Sequence, residues 1–297
     1  MSKFLLLALL LFSQATVALE PIKHTVYSNG HPLVVWEKSA EQPRAQILLL
    51  HGRTWSSLPD FDLQVSGEDL SFMDGLLELG YRVYALDARG YGATTRDASG
   101  WLTPNKAAKD VAETLAWIRA RSNHDVHLFG WSYGSMVAQL VLQRDPALAS
   151  SLILFGYPFD PKKYVADRDA VYREQPPAKP NTAENAASDF ITPGSISQKA
   201  IATYVAASLT ADPVRVDFKD LHQWAELNAQ AIRSPTLLLK GEFDPLAPID
   251  QQASFFAEIG FPDKWFIVLP GGDHAALLET PRKKMLHSID SFIRSLD

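Results

Sequence analysis

Five residues constrain this chain more than any others: Gly130-Trp131-Ser132-Tyr133-Gly134. An apolar run over residues 126–129 precedes them and reads as a buried strand, and residues 135–144 read as a helix. A strand that becomes a helix within so short a span must bend sharply. The residue at the bend takes a strained backbone conformation, and its side chain is pushed out above the sheet. The flanking positions must be nearly free of side chain, because strand and helix backbones pass close together there. Ser132 is thus a presented hydroxyl. The next residue, Tyr133, opens the helix, and its N–H points at the space above Ser132 where an oxyanion would form.

What surrounds this turn sets the fold class. Apolar strands alternate with amphipathic helices over nearly all of the 297 residues, and 46% of the residues are hydrophobic. That pattern predicts one α/β domain, residues 19–297, carrying an insertion. The formal net charge of −6 and the lack of any lysine- or arginine-rich block argue against nucleic acid or an anionic membrane surface as the main partner. With no cysteine present, a disulfide framework, a thiolate metal site, a cysteine nucleophile and a lipoprotein anchor are excluded.

The N-terminus reads as an export signal. Lys3 supplies a positive start, residues 4–12 are unbroken apolar, and small-residue patterns end at Ala15 and Ala18. The apolar run is too short to span a bilayer comfortably, and Ser13 and Gln14 interrupt it. A signal peptide over residues 1–18, cleaved after Ala15 or Ala18, and a periplasmic or secreted mature protein without a stable membrane anchor are therefore expected.

In chain order, Ser28-Asn29-Gly30 between two apolar runs predicts a hairpin that opens the sheet antiparallel. Residues 46–50 are a continuous apolar strand, as expected of a position buried on both faces. It runs into His51-Gly52-Arg53-Thr54-Trp55, a loop leaving the carboxyl end of a central strand, where a second oxyanion N–H must come from. Arg53 offers it, with Thr54 as the fallback, and His51 is read as a packing and hydrogen-bonding residue. Residues 66–79 show helical spacing and 81–86 a strand. The strand ends in Asp87-Ala88-Arg89-Gly90-Tyr91-Gly92, whose Asp87 and Arg89 are read as loop-holding groups. Residues 104–121 form an amphipathic helix with proline near its start, and residues 151–155 form a further buried strand.

From about 157 to 222 the composition turns to proline, alanine and charge, with helical stretches near 183–190 and 197–209 and no evident strand. So long a segment without its own structure is implausible, which predicts a small helical cap after the sixth strand. The sheet resumes at residues 236–239 and 265–269, and a helix over about 281–296 closes the chain.

A serine hydroxyl needs a neighbouring base to become nucleophilic, and histidine suits. Of eight histidines, His274 lies on a glycine-rich loop leaving the last strand, at the same sheet edge as Ser132. A carboxylate must fix its tautomer. Asp244 follows the penultimate strand at that edge. Asp160 is the rival position, and Asp273 adjoins His274, although neighbours on a tight loop rarely align for that bond.

His51-Gly52, Asp87-x-Arg89-Gly90-x-Gly92, Gly130-x-Ser132-x-Gly134, Asp244 and His274, in this order, resemble the α/β-hydrolase superfamily, in particular the capped single-domain esterases and lipase-like enzymes of bacteria. The resemblance spans the chain from about residue 24 onward, apart from the cap. It implies eight mostly parallel strands, the second antiparallel, flanked by helices, with the helical cap inserted after strand 6. It further implies that Ser132 attacks a carbonyl carbon while His274 takes its proton, that the Arg53 and Tyr133 N–H groups hold the oxyanion, and that water then cleaves an acyl-enzyme. No metal or other cofactor is called for. A serine rather than an aspartate nucleophile favours a carbonyl substrate over an epoxide or haloalkane. A small-molecule ester is the expected substrate, with amide or peptide, lactone and carbon–carbon bond hydrolysis as alternatives. A small-molecule receptor on the same scaffold is the non-enzymatic alternative. Trp55, Trp131 and Tyr157 are expected to line an apolar pocket, and the Arg53 side chain to be available to a substrate carboxylate. Oligomeric state is left open.

Overall fold

The structure is a computed structural model and describes residues 19–158 and 170–297. The expected export segment (residues 1–18), the rival acid Asp160 and part of the expected cap lie outside the described residues.

The opening hairpin forms as its turn chemistry requires. Strands β1 (Ile22–Ser28) and β2 (His31–Ser39) pair antiparallel across Asn29 and Gly30. Both turn residues have positive φ, 49° and 75°, the conformation that fits a two-residue turn to the twist of its strands. Strand β3 (Ala45–Leu50) is buried along its whole length. Its side chains alternate between two cores: Leu48 and Leu50 join the cluster on one face of the sheet, Ile47 and Leu49 the cluster on the other. That two-sided burial is why the strand reads as an unbroken apolar run rather than an alternation.

The main sheet adds β4 (Tyr81–Asp87), β6 (Val126–Trp131), β7 (Ser151–Phe155), β9 (Thr236–Gly241) and β10 (Lys264–Leu269). The spatial order of its eight strands is β1-β2-β4-β3-β6-β7-β9-β10. All pairings from β4 to β10 are parallel, and β2 pairs antiparallel with both of its neighbours. Parallel strands of one sheet share an end. The loops after β3, β4, β6, β7, β9 and β10 therefore leave the same edge.

Helices cover both faces. Helix α1 spans Ser57–Phe61, α2 Phe72–Glu78, α3 Pro104–Arg121 and α4 Tyr133–Arg144. In α3, Thr103 caps the first turn by accepting from the Lys106 N–H at 3.2 Å, and the face with Ala107, Val111, Leu115 and Ile118 is buried. The helix expected over 66–79 starts later, at Phe72. Gly67 takes φ 81°, Val65 bridges Glu68, and the Ser71 hydroxyl then caps the Asp74 N–H at 2.9 Å. Residues 66 and 67 are thus a turn, and residues 69–71 lie outside the helix. Among the described residues no helix is long and apolar enough to cross a membrane.

Between β7 and β9 lies the insertion, after the sixth strand of the main sheet. Its described part holds α5 (Ala183–Ala187) and α6 (Gln198–Ala211), capped by the hydroxyls of Thr182 and Ser197, and two short 3-10 turns. It also contains a strand, contrary to expectation. β8 (Asp217–Phe218) pairs in parallel with β5 (Trp101–Leu102). Two residues carry no readable alternation, so the strand has no signature in sequence. The last helices are α7 (Ile249–Glu258) and α8 (Arg282–Arg294), the latter burying Met285, Leu286, Ile289, Phe292 and Ile293.

Candidate active site

Ser132 sits at the hinge between β6 and α4 with φ 54° and ψ −118°. A non-glycine residue here is strained, and the surroundings over-determine it. The Ser132 N–H donates to the Phe155 carbonyl at 2.9 Å, tying the turn to β7. The glycines on either side are sterically obligatory. A methyl group on Gly130 would land on the Gly134 carbonyl, and one on Gly134 would land on the Leu50 carbonyl. The Tyr133 amide, first in its helix, has no intrahelical acceptor. A methyl on Gly52 would lie 3.4 Å from the Ser132 Cβ, so the loop carrying Arg53 passes directly beside the serine.

His274 and Asp244 meet at the same edge. The imidazole Nδ1 is 2.9 Å from Asp244 Oδ2, and both side chains are buried. The other carboxylate oxygen accepts the Leu246 N–H at 2.8 Å and the Ala247 N–H at 3.2 Å. A carboxylate that accepts these bonds also accepts the third, so the proton is on His274 Nδ1 and Nε2 is left with its lone pair. Gly156, with φ 56°, closes over the pair. A Cβ there would approach the imidazole to 3.0 Å and Asp244 to 3.2 Å. Among the described residues the Ser132 hydroxyl makes no hydrogen bond. Unliganded sites often tighten this contact only when substrate arrives.

The remaining predicted residues take different places. Trp131 is buried and donates its indole N–H to the His274 carbonyl at 2.8 Å, so it braces the histidine loop from the nucleophile's side. Trp55 is buried and donates to Asp189 Oδ2 at 3.0 Å. Tyr157 stacks on Phe255 with ring centroids 4.4 Å apart and donates its hydroxyl to Gln139. It is core packing beside α4 and α7 rather than an open wall. The Arg53 guanidinium lies 4.6 Å over the Phe218 ring, which makes the insertion's short strand part of the site's rim. Asp273 does not face the imidazole. Its carboxylate accepts the Ile191 and Thr192 N–H groups of the insertion and the Ala275 N–H of its own loop.

The neighbouring loops are locked in the manner their residues suggested. His51 is buried, donates from Nδ1 to the Gly52 carbonyl at 2.7 Å and accepts the Ala88 N–H at 3.1 Å. Burial lowers its pKa, so it stays neutral and keeps that tautomer. Asp87 accepts from the Ser57 and Ala93 amides and from Trp36, and Arg89 makes a two-pronged pair with Asp110 at 2.6 and 2.8 Å. Two histidines outside the site are likewise engaged, His127 with the Ser151 hydroxyl and His24 with Glu37.

Sequence reasoning missed a group of acids that fasten the insertion. Asp212, at the end of α6, accepts the Ser56 and Gly92 amides, both at 2.8 Å. Asp60 accepts the Tyr204 hydroxyl at 2.9 Å, and burial holds its carboxyl well above the usual range. Asp189, beside Trp55, is pushed up to about 6 by burial, against the opposing pull of His274. No local pattern marks these residues, because their partners are more than thirty residues away.

A mostly parallel sheet of this order, with a strained serine at a strand-to-helix turn and a histidine–aspartate pair beyond it, defines an α/β hydrolase. The family described as serine aminopeptidase, S33, matches residues 41–281, and the chain belongs to that family. No curated protein matches the chain. Solved structures share the fold at low identity. A thermophilic esterase from Thermogutta terrifontis is 21% identical, with a TM-score of 0.68 over 94% of this chain and 99% of that one. An esterase from Exiguobacterium antarcticum is 19% identical, with a TM-score of 0.67 over 92% and 100%. Epoxide hydrolase A from Mycobacterium thermoresistibile is 18% identical, with a TM-score of 0.67 over 93% and 99%.

Proposed function

We propose that this hydrolase cleaves a carboxylic ester, or a related acyl bond, of a small molecule through Ser132, His274 and Asp244. One observation carries the reading: a serine held at positive φ on the first turn of a helix, at the sheet edge where an imidazole is locked on a buried aspartate. His274 Nε2 takes the hydroxyl proton as Ser132 Oγ bonds to the carbonyl carbon. The oxyanion is held by the Arg53 and Tyr133 N–H groups, each worth about 3 kcal/mol in the transition state. The imidazolium gives its proton to the leaving group, and water, deprotonated by His274, releases the acid from the acyl-enzyme. Asp244 stays ionised throughout and stabilises the imidazolium.

Serine at the nucleophile position favours a carbonyl substrate over an epoxide, although epoxide hydrolases share the fold. The test is hydrolysis of an aryl-ester chain-length series together with labelling by a fluorophosphonate. Wild type hydrolyses and labels, and Ser132→Ala does neither. Labelling that survives in the variant sinks the assignment.

A second reading, hydrolysis of an amide next to a free amino group, is favoured by Asp189. It is a carboxylate of the insertion, held by Trp55 and within electrostatic reach of His274. Aminoacyl arylamides with free and acylated amino groups separate the two readings, since only the free amine would gain from that charge. We further propose export on the N-terminal segment. N-terminal sequencing of protein from the periplasm or medium tests this, and retention of Met1 there would refute cleavage.

A further inference from the structure

The mechanism makes no use of Glu279, a buried carboxyl five residues beyond His274. One of its oxygens accepts the Asp273 N–H at 3.0 Å, and the other lies 2.6 Å from the Ser195 hydroxyl. That hydroxyl is also 2.8 Å from the Thr192 carbonyl. The proton count does not close if Glu279 is ionised. A carboxylate and a carbonyl both only accept, and Ser195 has one proton to give. One of the two short contacts would then set lone pairs against each other inside the protein. Asp273 does not supply the missing proton: its oxygens accept from Ile191 at 2.9 Å, Thr192 at 2.5 Å and Ala275 at 2.9 Å, and its side-chain contact with Glu279 raises the Glu279 carboxyl.

We propose that Glu279 is held as a neutral carboxylic acid and is a positioning residue for His274. Its proton passes to Ser195 Oγ as a hydrogen bond, and Ser195 in turn donates to the Thr192 carbonyl. This relay fastens the insertion segment 191–195 to the loop that carries the base. Two fixed bonds run parallel to it, from the Thr280 N–H and hydroxyl to the Ser195 carbonyl, both at 2.8 Å. The positioning role rests on His274 being the base; the protonation does not.

Burial raises the Glu279 carboxyl to about 7, against the opposing pull of the Ser195 hydroxyl and the Asp273 N–H, and the nearby Asp273 charge pushes it up as well. The charged groups of the adjoining groove are Glu68, Asp69, Arg282 and Lys283. Arg282 does not neutralise Glu279, because its guanidinium is engaged by Asp69 and the Ser71 carbonyl. The pKa is thus higher folded than unfolded. Below about pH 4.5 both states hold the proton and nothing is gained or lost. Between about 4.5 and 7 only the folded state keeps it, so stability falls with rising pH across that window and is level above it.

The experiment compares the melting temperatures of wild type and E279Q from pH 5 to pH 8. The amide keeps an acceptor for Asp273 and supplies the donor to Ser195 at every pH. The variant's melting temperature minus that of wild type is expected to rise by about 5 °C across that range. A constant difference overturns the relay. If E279Q does not fold, the carboxyl 13C shift of Glu279 in wild type decides: a midpoint near 7 supports the proposal and one near the ordinary glutamate value overturns it. The positioning role is read from ester hydrolysis, where kcat of wild type relative to E279Q should fall two- to threefold from pH 6 to pH 8 with KM unmoved. A pH-independent kcat ratio, with the stability change intact, would remove the role in catalysis. Failure of Ser132→Ala to abolish hydrolysis would instead fault the site assignment.

Discussion

The Ser132 turn and the insertion are built by opposite means. At the turn, backbone meets backbone. Gly130 and Gly134 are there because any Cβ would press on a neighbouring main chain. The insertion is fastened by side chains reaching across to distant main chain: Asp212 to Ser56 and Gly92, Asp273 to Ile191 and Thr192. Steric exclusion admits one residue type and has no partial state. A charge-assisted hydrogen bond to an amide is worth roughly 1.5–3 kcal/mol and can be lost singly. The turn is thereby rigid wherever the fold exists, and the insertion is held by several separable ties.

The largest effects should fall on the turn. Ser132→Ala removes the proposed nucleophile and leaves the backbone untouched, so kcat should fall roughly ten-thousand-fold with an unchanged melting temperature. Steady-state ester hydrolysis and calorimetry check both halves. A residual rate within tenfold of wild type would mean that another group attacks. Gly134→Ala should cost about 3 kcal/mol or more, a drop on the order of 10 °C, because the methyl meets the Leu50 and His51 carbonyl oxygens and the helix must shift away from β3. If that variant melts like wild type, the contrast between the two regions is wrong.

The same contrast explains what could be read from sequence. Gly130, Ser132 and Gly134 are legible because sterics write themselves into residue type at fixed spacing. His274 and Asp244 are legible because parallel strands bring successive loops to one edge, which makes position along the chain a proxy for position in space. The start of α2 was misread because a Ser71 cap and a Gly67 turn interrupt an apolar spacing that looks helical throughout. Tyr157 looked like a pocket wall because it follows β7, but nothing local shows that its ring turns back onto Phe255. Asp189, Asp212 and Glu279 carry no signal at all. An acid whose partner lies in a distant segment looks like any surface acid.

A single tie of the insertion should matter less than a turn glycine. Tyr204→Phe removes one hydroxyl from Asp60, both of them buried. Burial raises the Asp60 carboxyl, and losing one buried hydrogen bond to it should cost about 1 kcal/mol, a drop of about 3 °C. Thermal melts at pH 7 measure this directly. A loss as large as that of Gly134→Ala would show that the insertion is fastened as one unit and not by separable ties.

Asp189→Asn should give a change of the same size, and its sign is opposite to intuition. Asp189 accepts from Trp55, so removing the acid looks destabilising. Its carboxyl is nevertheless raised to about 6, first by burial, so the folded state disfavours its charge relative to the unfolded chain. The folded protein keeps the proton between about pH 4 and 6 while the unfolded chain releases it, and stability is lost over that interval as pH rises. An asparagine has no such proton and still offers Trp55 an oxygen. The variant should therefore match wild type near pH 4 and exceed it at pH 7. Discounted for the solvent that reaches this side chain, the gain is about 1 kcal/mol, or about 3 °C. Melting temperatures at the two pH values test it. A variant less stable at pH 7 than at pH 4, relative to wild type, would mean that the Asp189 charge is supported in the folded protein by a cation. His274 is the basic side chain within its electrostatic reach, and the insertion would then be tied to the proposed base by charge as well as by hydrogen bonds.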